Sequence, residues 1–206
     1  MGGALLLALL LAGPAVDPVG HYRLRDGPDV VSELDIRRDG SFEYGLIAGA
    51  LDEYAKGRWR RVGREIRLTT VPKPVPPAFA AGPARKAPGL LTLHVTWPDG
   101  RDAVGTDLLI AFDRGPPLQT YVGGPDGWTM PEGETRRPVA VTLRLDMFGF
   151  SSPPFAIDVD KANDLTFVIT PHDLGRVDFE DLPLAIEPGK LVMRRGGERM
   201  DYVKAR

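Results

Sequence analysis

Apolar side chains in this chain recur at every second position, in short runs broken by glycine, proline and Asp-Gly turns. In Ser41-Phe42-Glu43-Tyr44-Gly45-Leu46, the residues Phe42, Tyr44 and Leu46 share one side, while Ser41, Glu43 and Gly45 share the other. Leu34 and Ile36 alternate in the same way with Glu33, Asp35 and Arg37, and Ile66 and Leu68 alternate with Arg67 and Thr69. Leu91, Leu93, Val95 and Trp97 oppose Thr92, His94 and Thr96. Leu108, Ile110 and Phe112 form another such set, as do Val139, Val141, Leu143 and Leu145, and then Leu165, Phe167 and Ile169. An extended strand sends successive side chains to opposite faces, whereas a helix repeats every 3.6 residues. The chain therefore reads as all-β, with strands that each hide one face. Its 24 glycines and 20 prolines fit many short strands joined by tight turns, and 43% hydrophobic residues argue against disorder.

Turn chemistry places the strands. Arg38-Asp39-Gly40-Ser41 supplies an Asp-Gly hairpin turn, and Arg61-Val62-Gly63-Arg64 turns the next strand back. The result from Gly20 to Thr70 is an antiparallel meander, in which Ile47 to Asp52 reads either as a loop or as one helical turn. Residues 71–89 hold Pro72, Pro74, Pro76, Pro77, Pro83 and Pro88. Prolines at this density cannot donate to a central ladder, so a stiff connector between domains is expected there. Strands resume over 90–160, with turns at Pro98-Asp99-Gly100 and Gly123-Gly124-Pro125-Asp126-Gly127. Further strands are expected around Leu184–Glu187, Leu191–Arg194 and Met200–Lys204. No long helix and no internal repeat is expected.

The N-terminal segment bears on compartment. Met1 to Val16 carry no charged side chain and include the run Ala4 to Ala12, too short to span a bilayer as a helix, which takes about 20 apolar residues. That run, followed by Gly13-Pro14-Ala15, reads as a signal peptide over residues 1–16, although no Lys or Arg precedes it. A periplasmic or secreted protein is the expectation, and no later segment reaches transmembrane length. The chain has no cysteine, which excludes disulfides, thiolate metal sites and a cysteine nucleophile. A formal net charge of −2 argues against a nucleic-acid partner.

Several short pieces carry a likeness to known families. Gly20-His21-Tyr22, Arg38-Asp39-Gly40-Ser41-Phe42-Glu43-Tyr44, Gly57-Arg58-Trp59-Arg60 and Glu65-Ile66-Arg67-Leu68 together resemble the first half of a lipocalin-like (calycin) module of exported bacterial proteins, over residues 20–70. Here Gly-x-Trp stands mid-module, not beside the first strand as in lipocalins proper. Val95-Thr96-Trp97-Pro98-Asp99-Gly100, Val104-Gly105-Thr106, Thr120 and Asp126-Gly127-Trp128 are similar to the carboxypeptidase regulatory-like family, and imply a non-catalytic, transthyretin-like sandwich over 90–160. A five-strand meander cannot close an eight-strand barrel. The expected architecture is thus a lipocalin-like antiparallel barrel split in sequence, residues 17–70 plus 164–206, with the sandwich inserted. The alternative is β-modules in tandem.

No catalytic or metal motif emerges, and no cofactor is implied. His21, His94 and His172 lack ligand spacing. Asp158 to Asp164 opens like a calcium loop but has Ala162 at the fifth position, Asn163 at the sixth and Ile169 at the twelfth. Ser32, Ser41, Ser151 and Ser152 lie in no nucleophile elbow. Glu180 and Asp181, adjacent on a strand, would face opposite ways. The basic run Lys56, Arg58, Arg60, Arg61, Arg64 and Arg67 brackets Trp59 and reads as the polar face and turn of a hairpin, with a polyanion or outer-membrane contact as the functional alternative. Tyr22, Phe42, Tyr44, Tyr54 and Trp59 are the candidate ligand-binding residues should the barrel be open at its centre; otherwise they are core. The reading that results is an exported, non-enzymatic β-protein that binds a small hydrophobic or amphiphilic molecule or the surface of an envelope protein. The alternatives are an envelope interaction module without a ligand and, third, a hydrolase with a cross-strand acid pair.

Overall fold

The computed structural model describes residues 16–24 and 29–205. Of the expected leader, only Val16 falls within them; the rest lies outside the described residues. The chain divides into two compact units, one reaching to Lys73 and resuming at Val177, the other running from Pro74 to Arg176.

The first unit opens with β1 (Gly20–Leu24), β2 (Val30–Ile36), β3 (Ser41–Ala48), β4 (Leu51–Val62) and β5 (Glu65–Thr70). The second unit supplies β6 (Ala78–Arg85), β7 (Thr92–Thr96), β8 (Asp107–Phe112), β9 (Leu118–Tyr121), β10 (Trp128–Thr129), β11 (Pro138–Leu145), β12 (Phe150–Ser151), β13 (Phe155–Ala156) and β14 (Asp164–Thr170). The chain then returns to the first unit with β15 (Leu182–Glu187), β16 (Lys190–Arg195) and β17 (Glu198–Lys204). One 3₁₀ turn, Asp146–Phe148, is the helical element among the described residues.

Eight strands of the first unit close a lipocalin-like antiparallel barrel in the order β1-β17-β16-β15-β5-β4-β3-β2. Closure is made where Tyr22 pairs with Lys204 and Leu24 with Tyr202. Closure removes every sheet edge, so no ladder group is left for a foreign strand. The β2–β3 hairpin turns as its sequence dictates: the Asp39 carboxylate accepts the Ser41 amide at 2.9 Å and its hydroxyl at 2.6 Å, and Gly40 takes φ 81°. Gly57 is required for a different reason. A Cβ there would stand 2.0 Å from the Thr69 carbonyl oxygen, so only glycine lets β5 pass at that distance. Past Thr70, the segment 177–181 is pinned across the barrel end. The Thr70 amide donates to the Phe179 carbonyl at 2.9 Å. The Thr70 hydroxyl donates to the Val177 carbonyl and accepts the Phe179 amide, each at 2.9 Å.

The second unit is a sandwich of two sheets, β10-β7-β14-β6 and a second sheet in which β8 lies between β9 and β11, with β12 and β13 both pairing β11. Leu93, Val95, Phe167 and Ile169 from one sheet and Leu108, Ile110, Val141 and Leu143 from the other form a single buried cluster. Burying such a side chain stabilises by about 1.5–3 kcal/mol.

Four expectations are corrected. The strand at 164–170 belongs to the sandwich and not to the barrel. Leu165, Phe167 and Ile169 are buried in the sandwich core, and β15 to β17 already bring the barrel to eight strands. Residues 71–89 are not a plain connector, because Ala78–Arg85 forms β6, an edge strand paired only with β14. Most of the prolines fall outside it, and Pro83 lies at a bulge where Gly82 and Pro83 together oppose Thr166. Val139 turns outward, 39% exposed, because the register shifts between Pro138 and Ala140. Glu180 and Asp181 lie in the segment preceding β15 and not on a strand. Glu180 bonds Lys73, and Asp181 bonds Arg60. The ambiguous stretch at 47–52 resolves into a two-residue turn, with β3 and β4 running up to it on either side.

Candidate functional site

The barrel interior is the place to test the candidate aromatics. Three of the five point inward and are buried: Tyr22, Phe42 and Tyr44. Their company is Leu34, Ile36, Ile66, Leu68, Leu184, Leu191, Met193 and Tyr202, each at most 1% exposed. A void able to hold a water would give the residues on its walls surface for that water to touch, and these have essentially none. Phe179 fills the end that the 177–181 segment crosses, its ring 5.1 Å from Tyr44 edge-on and 6.0 Å from Phe42. The Tyr22 hydroxyl donates to the Pro18 carbonyl at 2.8 Å, and burial, with Asp17 nearby, pushes its pKa up to about 12. Tyr54 and Trp59 differ from these three. Inward positions on β4 are Leu51, Glu53, Ala55, Gly57 and Trp59, so Tyr54 falls on the outer wall, 45% exposed. Trp59 is half-buried at the rim, and its indole N–H donates to the Arg37 carbonyl at 2.8 Å.

The same inward row of β4 carries a charge that period-two reasoning passed over. Glu53 is 12% exposed and meets Arg195 of β16, 32% exposed, in a two-pronged pair. Arg195 Nη2 donates to Glu53 Oε1 at 2.8 Å, and Nη1 donates to Oε2. Nη1 also donates to the Tyr44 hydroxyl at 3.3 Å, and the guanidinium stands 6.0 Å from the Phe179 ring centre. Bonding to Glu53 holds the Arg195 pKa above its ordinary value, and burial raises that of Tyr44. Deeper in, the Ser32 hydroxyl donates to the Gly45 carbonyl at 2.7 Å, which leaves the Tyr202 hydroxyl, 2.8 Å away, as the donor to Ser32. Burial raises the Tyr202 pKa as well. The buried Ser32 and Thr70 hydroxyls of the barrel are therefore both engaged with backbone groups, and Glu53 is held by an arginine. The signal for this pair was present in the sequence: Glu53 interrupts the apolar side of β4, and Arg195 extends the side set by Leu191 and Met193.

Outside the barrel, the sandwich offers a concave apolar surface. On the outer face of the β8–β11 pair, Ala111 lies opposite Ala140 and Leu109 opposite Thr142. These small floor residues, with Pro117 and Pro154 at the rim, leave a groove of about 290 Å³. Ligand pockets start at roughly that size. Arg136 lies over the Phe112 ring at 4.0 Å, beside the same groove.

The remaining candidates fall into ordinary structural roles. His21 Nδ1 lies 2.7 Å from Asp35, and His94 Nε2 lies 3.4 Å from Asp164. In the Pro171-His172-Asp173 turn, the Asp173 carboxylate accepts the Val75 amide at 2.9 Å. Asp158 is paired with Lys161 and Arg137. Among the described residues no group of three or more His, Asp or Glu is placed to hold a metal ion, and no helix is long and apolar enough to cross a membrane. No family model, no curated protein and no solved structure matches this chain.

Proposed function

We propose that this chain is an exported, non-enzymatic binding protein that takes a small hydrophobic or amphiphilic ligand, or an apolar side chain of an envelope partner, on the sandwich and not inside the barrel. The observation that carries this is the burial of the inward barrel side chains: Leu34, Ile66, Leu184, Leu191 and Tyr202 are 0% exposed. Small barrels fill with their own side chains, and this one leaves its lipocalin-like interior no room for a guest. The open floor of Ala111 and Ala140 then offers a concave apolar surface among the described residues.

Fluorescence of an anilinonaphthalene sulfonate probe, titrated with the full chain, tests the reading. Saturable enhancement is expected, abolished by Ala140→Leu, which fills the floor, and unchanged by Tyr44→Phe inside the barrel. Equal binding by Ala140→Leu, at an unchanged melting temperature, overturns the groove. Loss in Tyr44→Phe returns the site to the barrel. Export is tested separately by intact mass after expression with residues 1–16. Cleavage near Ala15 is expected, and an uncleaved cytosolic product overturns it.

A further inference from the structure

The outer wall of β4 presents Lys56, Arg58 and Arg60 at alternate positions, and Arg61 and Arg64 continue the charge into the turn toward β5. Alternate residues of a strand stand about 6.6 Å apart, so these cations form a row. Which of them already have a carboxylate decides what the row can do. Arg60 lies 2.7 Å from Asp181, and its cross-strand neighbour Arg67 lies 3.5 Å from Asp181 and 3.1 Å from Glu65. Glu43, opposite Lys56, is taken by Arg37 at 2.7 Å. Among the described residues, Lys56, Arg58, Arg61 and Arg64 have no carboxylate within ion-pair distance. Arg58 donates to the Asp39 carbonyl at 3.0 Å, and Arg61 to those of Gly63 and Val16 at 3.1 and 2.9 Å. Between Lys56 and Arg58 the wall dips into an open dish of about 310 Å³, rimmed by Ser41 and Val71.

We propose that this row is a docking site for an acidic polysaccharide, a chain bearing sulfate or carboxylate groups at regular intervals. Two observations select that partner. Acids flank the row on both sides, Glu43 on β3 and Glu65 and Asp181 toward β5, which confines the positive charge to a line. A line of charge matches a linear polyanion better than a flat lipid surface. Nucleic acid would need rings for successive bases along the row, but Tyr54, 45% exposed, stands alone at its end, and Trp59 turns to the barrel side with its N–H used on Arg37. Four cations against one ring make the row a reader of charge in the first place.

Calorimetry with a size-defined heparin oligosaccharide, at a series of salt concentrations, tests the assignment on the full chain. Binding that weakens with salt is expected. Lys56→Glu/Arg58→Glu is expected to lose at least tenfold in affinity and to flatten the plot of log K against log salt by about two. Arg199→Glu is the control, because Arg199 is already paired with Asp201 at 2.8 Å and should lose less than twofold. All the substituted side chains are exposed or half-exposed, and thermal melts confirm that each variant folds. No binding, an unchanged double variant, or an equal loss in Arg199→Glu overturns the row as a site. Tighter, row-dependent binding of single-stranded DNA or of anionic vesicles overturns the choice of partner.

Discussion

The barrel and the sandwich solve the same problem, hiding one face of an antiparallel sheet, in opposite ways. The barrel joins its first strand to its last, so its ladder has no edge, and its inward face is spent on packing Tyr22, Phe42, Tyr44, Phe179 and Tyr202. The side chains it leaves exposed are those of its outer wall, such as Tyr54 and Lys56. The sandwich keeps its edges and guards them locally: β6 carries Pro83 and a bulge, both of which discourage a foreign strand. Its packing is shared between two sheets, and its outer faces retain shallow apolar relief such as the Ala111–Ala140 floor. Closure thus leaves the barrel a charged outer wall, while the open sheets of the sandwich leave concave apolar surface.

The contrast breaks most severely at Gly57. If barrel closure depends on the close pass of β5, Gly57→Ala should cost about 3 kcal/mol or more, since the clash is with backbone and cannot be relieved by a rotamer. Denaturant titration of the full chain should then show the barrel transition shifted or lost. A variant as stable as the parent would mean that β4 and β5 do not pass as described.

Next in size is the charged pair inside the closed wall. Arg195→Met should destabilise by about 1–3 kcal/mol, because the Glu53 carboxyl loses its guanidinium partner and is left with the Tyr44 hydroxyl at 3.4 Å. Glu53→Leu combined with Arg195→Met should recover most of that loss, as apolar replacements of buried pairs do. A double-mutant cycle in urea measures both, and additive losses would deny the coupling.

Alkaline pH sharpens the comparison further. Tyr22 titrates at about 12 in the folded barrel against about 10 for an exposed tyrosine. The unfolded chain therefore ionises first, so the contribution of this group is whole below about pH 10 and is lost as pH rises toward 12. Tyr22→Phe should flatten stability across that window by about 2 kcal/mol, read from denaturant midpoints at pH 9 to 12. The smallest effect is expected at the sandwich edge. Pro83→Val should change stability by less than about 1 kcal/mol while raising self-association, measured by light scattering.

How far these features were legible depends on which interaction decides them. Alternation named β2, β3, β5, β7, β8, β11 and β14 because burial on one face is a local pattern, and the Asp39-Gly40 turn is local as well, whereas β6, β9 and the two-residue strands β10, β12 and β13 gave no such pattern. That β14 lies with β6 and β7 was not legible, because Leu165, Phe167 and Ile169 would suit either core and only pairing chooses. Proline density misled at 78–85, where a single proline is tolerated once its missing donor sits in a bulge on an edge. The outward turn of Tyr54 followed from the alternation of β4 once Trp59 was placed inward. The Glu53–Arg195 pair joins strands that are 142 positions apart in sequence, so its two halves were visible only as polar interruptions of apolar rows.

The excursion between β5 and β15 orders events in time. The sandwich strands are contiguous, so that unit can assemble while synthesis continues, whereas β1 must wait for β17, made only after the whole sandwich. Throughout translation the five-strand meander exposes both flanks of an unclosed sheet. A ribosome that stalls after β14 therefore releases a chain with a finished sandwich and a half barrel prone to stick to its own kind.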